Sequence, residues 1–194
     1  VVDGDQLMSI CGNYMKQKGT LKKNTIVATV MSNLGMFLMG EREGIHIEKT
    51  KVGDRYVLEN MLENGYNIGG EQSGHIIFLD ENTTGDGLLS ALHLLQVMTE
   101  TKKKLSELAS IMEVLPQALV NAKVPNHKKE HFEEYAEIAE AIAEVEAKFA
   151  GEGRVLIRPS GTEPLVRVMI EGKDQQLIES EAQKLAELIS SIML

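Results

Sequence analysis

With a single cysteine, Cys11, among 194 residues, the chain cannot form an internal disulfide, and its ten methionines suit a reducing compartment. Nor does it have an apolar run approaching the roughly eighteen residues that a membrane span needs. The longest, Gly87 to Met98, is interrupted by Ser90, His93 and Gln96. No secretory leader is visible, because Val1-Val2-Asp3-Gly4-Asp5 has no basic stretch followed by an apolar segment and a cleavage site. A cytoplasmic chain with no membrane partner is expected. A basic excess is also missing: the net charge of −9 argues against nucleic acid as a partner. The acidic excess does not specify a cationic partner either, since seven glutamates between Glu130 and Glu146 read as one solvated helix face. There is no internal repeat and no initiator methionine. The latter fits removal of a tag, or a piece cut from a longer chain, which is the reading adopted here as an expectation.

What the sequence does contain is alternation. At 43% hydrophobic and 25% charged it can build one large core or two small ones. Helical spacing over Asp5–Lys16 precedes a β-branched run, Thr25–Met31. A helix over Leu34–Arg42, a strand over Ile45–Thr50, a helix over Tyr56–Glu63, strands on either side of Gly69-Gly70, and helices over Asp86–Thr99 and Leu105–Met112 follow. This pattern predicts an α/β sandwich with a largely buried sheet across residues 1–115. From residue 116 the pattern changes to a strand over Leu119–Val124, a charged helix over Lys128–Phe149, and strands over Arg154–Ile157 and Val166–Ile170. A last helix starts from an Asp174 cap, with Leu177, Leu185, Leu188 and Ile192 on its apolar side. Residues 116–194 therefore predict a smaller α+β domain with an antiparallel sheet and two long helices.

Three segments could carry chemistry. Arg158-Pro159-Ser160-Gly161-Thr162-Glu163-Pro164 lies between two strands, and offers hydroxyl and backbone N–H donors beside a forked guanidinium, a set suited to a phosphate. Hydrogen bonds to a charged group are worth roughly 1.5–3 kcal/mol each, so a few such contacts can hold a sugar phosphate. The same residues also make an ordinary hairpin loop. Gly69-Gly70-Glu71-Gln72-Ser73-Gly74-His75 lets the backbone approach a ligand and, if extended, sends Glu71 and Ser73 to one side, where a carboxylate and a hydroxyl suit sugar hydroxyls. A bulge or tight turn with Glu71 merely exposed is the alternative, and His75 alone reads equally as a structural histidine. In Lys49-Thr50-Lys51-Val52-Gly53-Asp54-Arg55, cations near a helix start would attract an anion, while Asp54 is expected to cap the helix.

Taken together, Gly70–His75 and Arg158–Pro164 resemble the sugar-recognition and phosphate-binding loops of the α-D-phosphohexomutase superfamily, in the family's order and over essentially the whole chain. The resemblance implies the third and fourth of four domains. It implies Glu71, Ser73 and His75 at the sugar, His75 being also a candidate acid/base group, and Lys51, Asp54 and Arg55 in a substrate-specificity turn. Arg158, Ser160, Gly161 and Thr162, with Arg167 nearby, would hold the phosphate that is not being transferred. Gln72, Gly53–Val57 and Thr83–Gly87 look more like the members acting on an amino sugar than those acting on glucose or mannose. The implied reaction interconverts glucosamine 6-phosphate and glucosamine 1-phosphate through a bisphosphorylated sugar, using a phosphoserine and Mg2+ supplied by the two preceding domains. Neither the serine loop nor the metal loop is found in these residues, so this chain is expected to bind hexosamine phosphate without turning it over and to hold no cofactor of its own. A non-catalytic sugar-phosphate sensor, a scaffold module, and a fragment acting on mannose or glucose phosphates remain rival readings.

Asp3-Gly4-Asp5 lacks the third aspartate and the following arginine of the family's metal loop, so helix capping is expected there. His127 and His131 could share a metal on one helix face, but no third ligand is evident, and Lys128, Lys129 and Glu130 suggest a solvated helix start. Cys11 falls on an apolar helix face and is expected to pack.

Overall fold

A computed structural model describes residues 1–151 and 153–194, which form two units, Val1–Val114 and Leu115–Leu194. The first begins with α1 (Gly4–Gln17), where Asp3 and Gln6 make a reciprocal capping box. Then come β1 (Thr25–Thr29), α2 (Leu34–Glu43), β2 (His46–Thr50), α3 (Asp54–Asn64), β3 (Ile68–Gly70), β4 (Ile76–Phe78), α4 (Gly87–Thr101) and α5 (Leu105–Ala109). The sheet order is β2-β1-β3-β4; β1 is parallel to both its neighbours, and β4 is antiparallel to β3. Every residue of β1 is buried, as befits a central strand covered on both faces. Ile26 and Ala28 join a core with Met8, Cys11, Met36 and Met39, while Val27 joins Val57, Met61 and Ile77. The expected sandwich is thus present, with α1 and α2 packed on one face and α3 on the other. Cys11 is 1% exposed, and burial pushes its thiol up to about 12. Among the described residues no helix is long and apolar enough to cross a membrane.

The second unit comprises β5 (Gln117–Lys123), α6 (Ala136–Lys148), β6 (Gly153–Pro159), β7 (Leu165–Gly172) and α7 (Gln175–Met193), with an antiparallel sheet ordered β5-β7-β6. Val166, Val168 and Ile170 of β7 face the core shared with the helices. Because side chains alternate along a strand, Arg167, Met169 and Glu171 lie on the opposite face. The register pairs Arg158 with Arg167, Leu156 with Met169 and Arg154 with Glu171 on that face.

Two helix expectations are corrected. The continuous helix over Lys128–Phe149 is a 3-10 segment, Lys129–Glu134, followed by α6, with extended backbone at Tyr135 (φ −87°, ψ 113°) between them. In an unbroken helix, Phe132 and Ile138 would stand about 120° apart; the break lets both enter one core. On α7 the buried face is Ile178, Ala182, Leu185, Ala186, Ile189 and Met193, and Leu177 is exposed. Ala182 and Ala186, which a search for large side chains passes over, belong to this buried face.

Glu181 ties α7 to α6. Its carboxylate accepts from Lys148 Nζ at 2.7 Å and Lys184 Nζ at 2.8 Å, and these bonds, Lys148's first, hold its carboxyl below the usual glutamate range. A carboxyl depressed in the folded state adds stability above its unfolded pKa of about 4.3, and that stability is lost as pH falls through the lower folded value. Glu181→Gln is therefore expected to lower the urea midpoint at pH 7, and to do so much less at pH 3. Equal deficits at both pH values would show that the ion pairs contribute nothing.

Candidate functional site

Parallel pairing of β1 with β2 and β3 brings the carboxyl ends of these three strands to one edge, the place where open α/β sheets bind ligands. β4 runs the other way, so its first residues reach the same edge. The segment Glu71–His75 is the turn joining β3 to β4: Glu71 N–H donates to the His75 carbonyl and Gly74 N–H to the Glu71 carbonyl, each at 3.0 Å, and Gly74 has φ +99°. This corrects the extended reading, so strand alternation is not what relates Glu71 to Ser73. Gly69 and Gly70 lie inside β3, packed against Val27 and Ile76, rather than opening toward a ligand.

Around the turn, Glu71 Oε1 accepts from Gly53 N–H at 3.0 Å, joining it to the segment ahead of α3. Gly53, not Asp54, is the N-cap of α3. Asp54 occupies the first turn, with Oδ2 3.5 Å from His75 Nε2. His75 Nε2 also accepts from Gly85 N–H at 3.2 Å, so this bond puts the ring proton of a neutral imidazole on Nδ1. Proton transfer through Nε2 would require that bond to break. Gly85 leads into Asp86, whose carboxylate caps α4 through Leu88 and Leu89. Glu71, Gly53, Asp54, His75 and Gly85 are therefore one connected group. Ser73 is exposed at the tip of the turn. Arg55 points along α3 to Glu59 at 2.7 Å, and Lys51 Nζ lies 6.0 Å from the Tyr56 ring centre; neither joins the group.

Sequence reasoning missed the support beneath the turn. Gly4 N–H donates to the Gln72 carbonyl at 3.0 Å, and Gln72 Nε2 donates to Asp3 Oδ2 at 3.3 Å. Asp3 is thus both a helix cap and a contact of the turn. Asp5 is buried and accepts from Asn33 N–H at 2.7 Å.

In the second unit Arg158 and Pro159 end β6, and the loop proper is Ser160–Pro164. Ser160 is 1% exposed; its Oγ accepts from Glu163 N–H at 3.2 Å and its own N–H donates to the Leu165 carbonyl at 2.9 Å, which closes the loop. Gly161 and Thr162 are exposed, and among the described residues their backbone N–H groups meet no protein acceptor. Arg158 and Arg167 are directly opposed across the strands. Burial first, and the neighbouring Arg167 charge second, lower the pKa of Arg158. Arg167 Nη2 lies 3.1 Å from Glu163 Oε2, and its Nε is buried without a hydrogen bond. Lys129, expected at a solvated helix start, is 7% exposed and donates to the Ser160 carbonyl at 2.5 Å and the Glu163 carbonyl at 3.4 Å. No local signal in the charged run Lys128–Glu130 singles it out. His127 sits in a turn and His131 in the 3-10 segment, where its Nδ1 meets Glu134 at 2.7 Å, so they do not share an α-helical face.

Residues 3–115 match the model of the phosphoglucomutase/phosphomannomutase alpha/beta/alpha domain III, and residues 119–188 match that of the phosphoglucomutase/phosphomannomutase C-terminal domain. The chain belongs to the phosphoglucomutase/phosphomannomutase family. Among curated members, it is 63% identical to the phosphoglucosamine mutase of Ruminiclostridium cellulolyticum and 64% identical to that of Acetivibrio thermocellus, in each case over 97% of this chain. It spans 42% of the length of either relative. Among solved structures, its fold is similar to that of the Aspergillus fumigatus N-acetylphosphoglucosamine mutase in complex with GlcNAc-6P and magnesium (TM-score 0.80, 17% identity, 100% of this chain and 44% of that one).

In this family member the support under the turn can be tested directly. A Cβ at Gly4 would fall 2.9 Å from Gly74 N and closer still to the Glu71 and Gln72 carbonyl oxygens. Gly4→Ala is expected to break the Gly4–Gln72 bond, shift the amide resonances of Glu71–Gly74, and cost about 1–3 kcal/mol in a denaturant titration. Unmoved resonances would show that α1 does not position the turn.

Proposed function

We propose that this chain is the sugar- and phosphate-recognising part of a phosphoglucosamine mutase, its two units being the third and fourth domains of that enzyme. The observation that carries the reading is the anion loop: two backbone N–H groups without protein acceptors, at Gly161 and Thr162, beside a like-charged arginine pair. Two guanidiniums held side by side repel each other, and an anion bound between them removes that cost while satisfying the free donors. Arg158, Gly161 and Thr162 would contact the phosphate, Ser160 would shape the loop, and Arg167 would add charge from its place against Glu163. At the other group, Glu71 would accept from sugar hydroxyls with the orientation that Gly53 N–H gives it, Ser73 would reach from the turn tip, and His75 would hold the Gly85 segment against the turn. Lys51 and Arg55 would meet substrate only after leaving their present positions.

In a reaction that interconverts glucosamine 6-phosphate and glucosamine 1-phosphate through a bisphosphate, either phosphate must be able to occupy the same loop. Recognition by charge and backbone N–H groups satisfies that need, because it reads the phosphate and not its point of attachment. Mg2+ would neutralise phosphoryl charge in the transfer. The carboxylates here do not fit that ion, since Asp3 is engaged by Gln6 and Gln72 and Asp5 is buried against Asn33. The phosphoryl-donating serine and the metal ligands are assigned to the further length that the relatives possess. A cytoplasmic setting belongs to the same reading.

Calorimetric titration of the chain with glucosamine 1-phosphate tests it. Arg158→Ala should weaken binding by about 10- to 100-fold, the equivalent of one hydrogen bond to a charged group. Its melting temperature should not fall, because Arg158 is on the sheet face away from the helices and its loss relieves repulsion with Arg167. Unchanged affinity would refute the assignment.

A further inference from the structure

Lys129 has an unusual environment for an ammonium. It is 7% exposed, and its partners are the Ser160 and Glu163 carbonyls; among the described residues no carboxylate lies within ion-pair distance of it. Burying a charge without a counter-charge is costly, so a position that maintains one calls for a compensating role. Two features of the loop supply it.

The first is geometric. The Ser160–Gly161 peptide is trans, as are all peptides in the described chain. A trans peptide directs its C=O and N–H to opposite sides, so a cation gripping the Ser160 carbonyl from the buried side turns the Gly161 N–H away from it. The same bond polarises the peptide and makes that N–H a stronger donor. The second is electrostatic. Lys129, Arg158 and Arg167 lie at the loop; Glu163 meets Lys129 through its backbone carbonyl, and its carboxylate pairs with Arg167 alone. Three cations against one carboxylate leave two positive charges, matching the charge of a phosphate monoester at neutral pH and exceeding that of a phosphodiester.

We infer that Lys129 is a positioning and specificity-determining residue of the anion loop: its buried ammonium orients the Gly161 N–H and supplies the charge that makes the loop select a phosphate dianion over a monoanion. This rests on the reading of the Ser160–Pro164 loop as a phosphate site, and the test separates the two. The isotope-labelled full chain is titrated at pH 8.5 with inorganic phosphate, a dianion there, and with dimethyl phosphate, a monoanion, following the Gly161 and Thr162 amide resonances. The unmodified chain should prefer phosphate. Lys129→Met, which removes both the charge and the hold on the Ser160 carbonyl, should weaken binding of both anions, and that of phosphate by about 10-fold more than that of dimethyl phosphate, the scale of one charge-assisted contact. Lys129→Arg should restore most of the preference. Should Lys129→Met fail to fold, Lys129→Gln serves in its place: its amide can still donate to the carbonyls, so it should retain dimethyl phosphate binding and lose the discrimination. Equal weakening toward both anions would reduce Lys129 to scaffolding and overturn the inference, as would an unaltered preference. If the unmodified chain binds neither anion, the phosphate reading of the loop falls, and this inference with it.

Discussion

Parallel strand pairing is the constraint on which the first unit depends. β1 cannot reach β2 by a tight turn, because parallel neighbours start at the same end, so the chain must return through α2, and again through α3 before β3. Those crossovers cover both faces of the sheet, bury all of β1, and leave three strand ends at one edge. The Gly53 amide, the Glu71 carboxylate and the β3–β4 turn meet for that reason. The turn itself is short, and its position is fixed from below by the N-terminus of α1, which is distant in sequence and adjacent in space.

In the second unit the corresponding constraint is antiparallel register. Pairing Val166, Val168 and Ile170 toward the helices leaves Arg167 on the opposite face, and the hairpin that ends in Ser160–Pro164 then sets Arg158 directly across from it. A one-residue slip of β6 against β7 would turn Arg158 toward the apolar core and away from Arg167, so the hydrophobic pattern that fixes the register also fixes the charge pair. Repulsion within the pair is tolerated because the β7 core residues and the loop's own bonds hold the strands together.

The elements most easily read from the sequence were those determined locally. Asp3 and Asp174 announce helix starts through their short acceptor side chains, and Thr25–Thr29 announces a buried strand through its β-branched run. The two candidate segments stood out for the same reason, since each is a short stretch with distinctive donors. What escaped depends on partners far along the chain. Tyr135 breaks a helix that its flanking periodicity supports, because Phe132 and Ile138 must enter one core. The buried face of α7 is shifted toward Ala182 and Ala186, whose small size is informative only once the opposing surface is known. Lys129 looks like its exposed neighbours until the carbonyls of Ser160 and Glu163, over thirty positions away, are seen to surround its ammonium. Asp54 reads as a cap until Gly53 takes that place and leaves its carboxylate facing His75.

The two groups of residues differ in how they are held, and the difference follows from what each would recognise. Around Glu71 the hydrogen-bond donors are neutral amides: the Gly53, Gly4 and Gly85 N–H groups and the Gln72 side chain, which donates to Asp3. Such bonds fix direction without adding charge, which suits hydroxyl groups, whose recognition depends on the angle of each donor and acceptor. Around Ser160 the supports are cationic and incompletely neutralised. That arrangement is less favourable for the protein alone, since a buried ammonium and two half-buried guanidiniums gathered at one loop repel one another, and on the proposed reading a bound anion offsets that cost. On that reading, affinity at the loop is partly stored in the fold as electrostatic strain, whereas selectivity at the turn is stored as geometry.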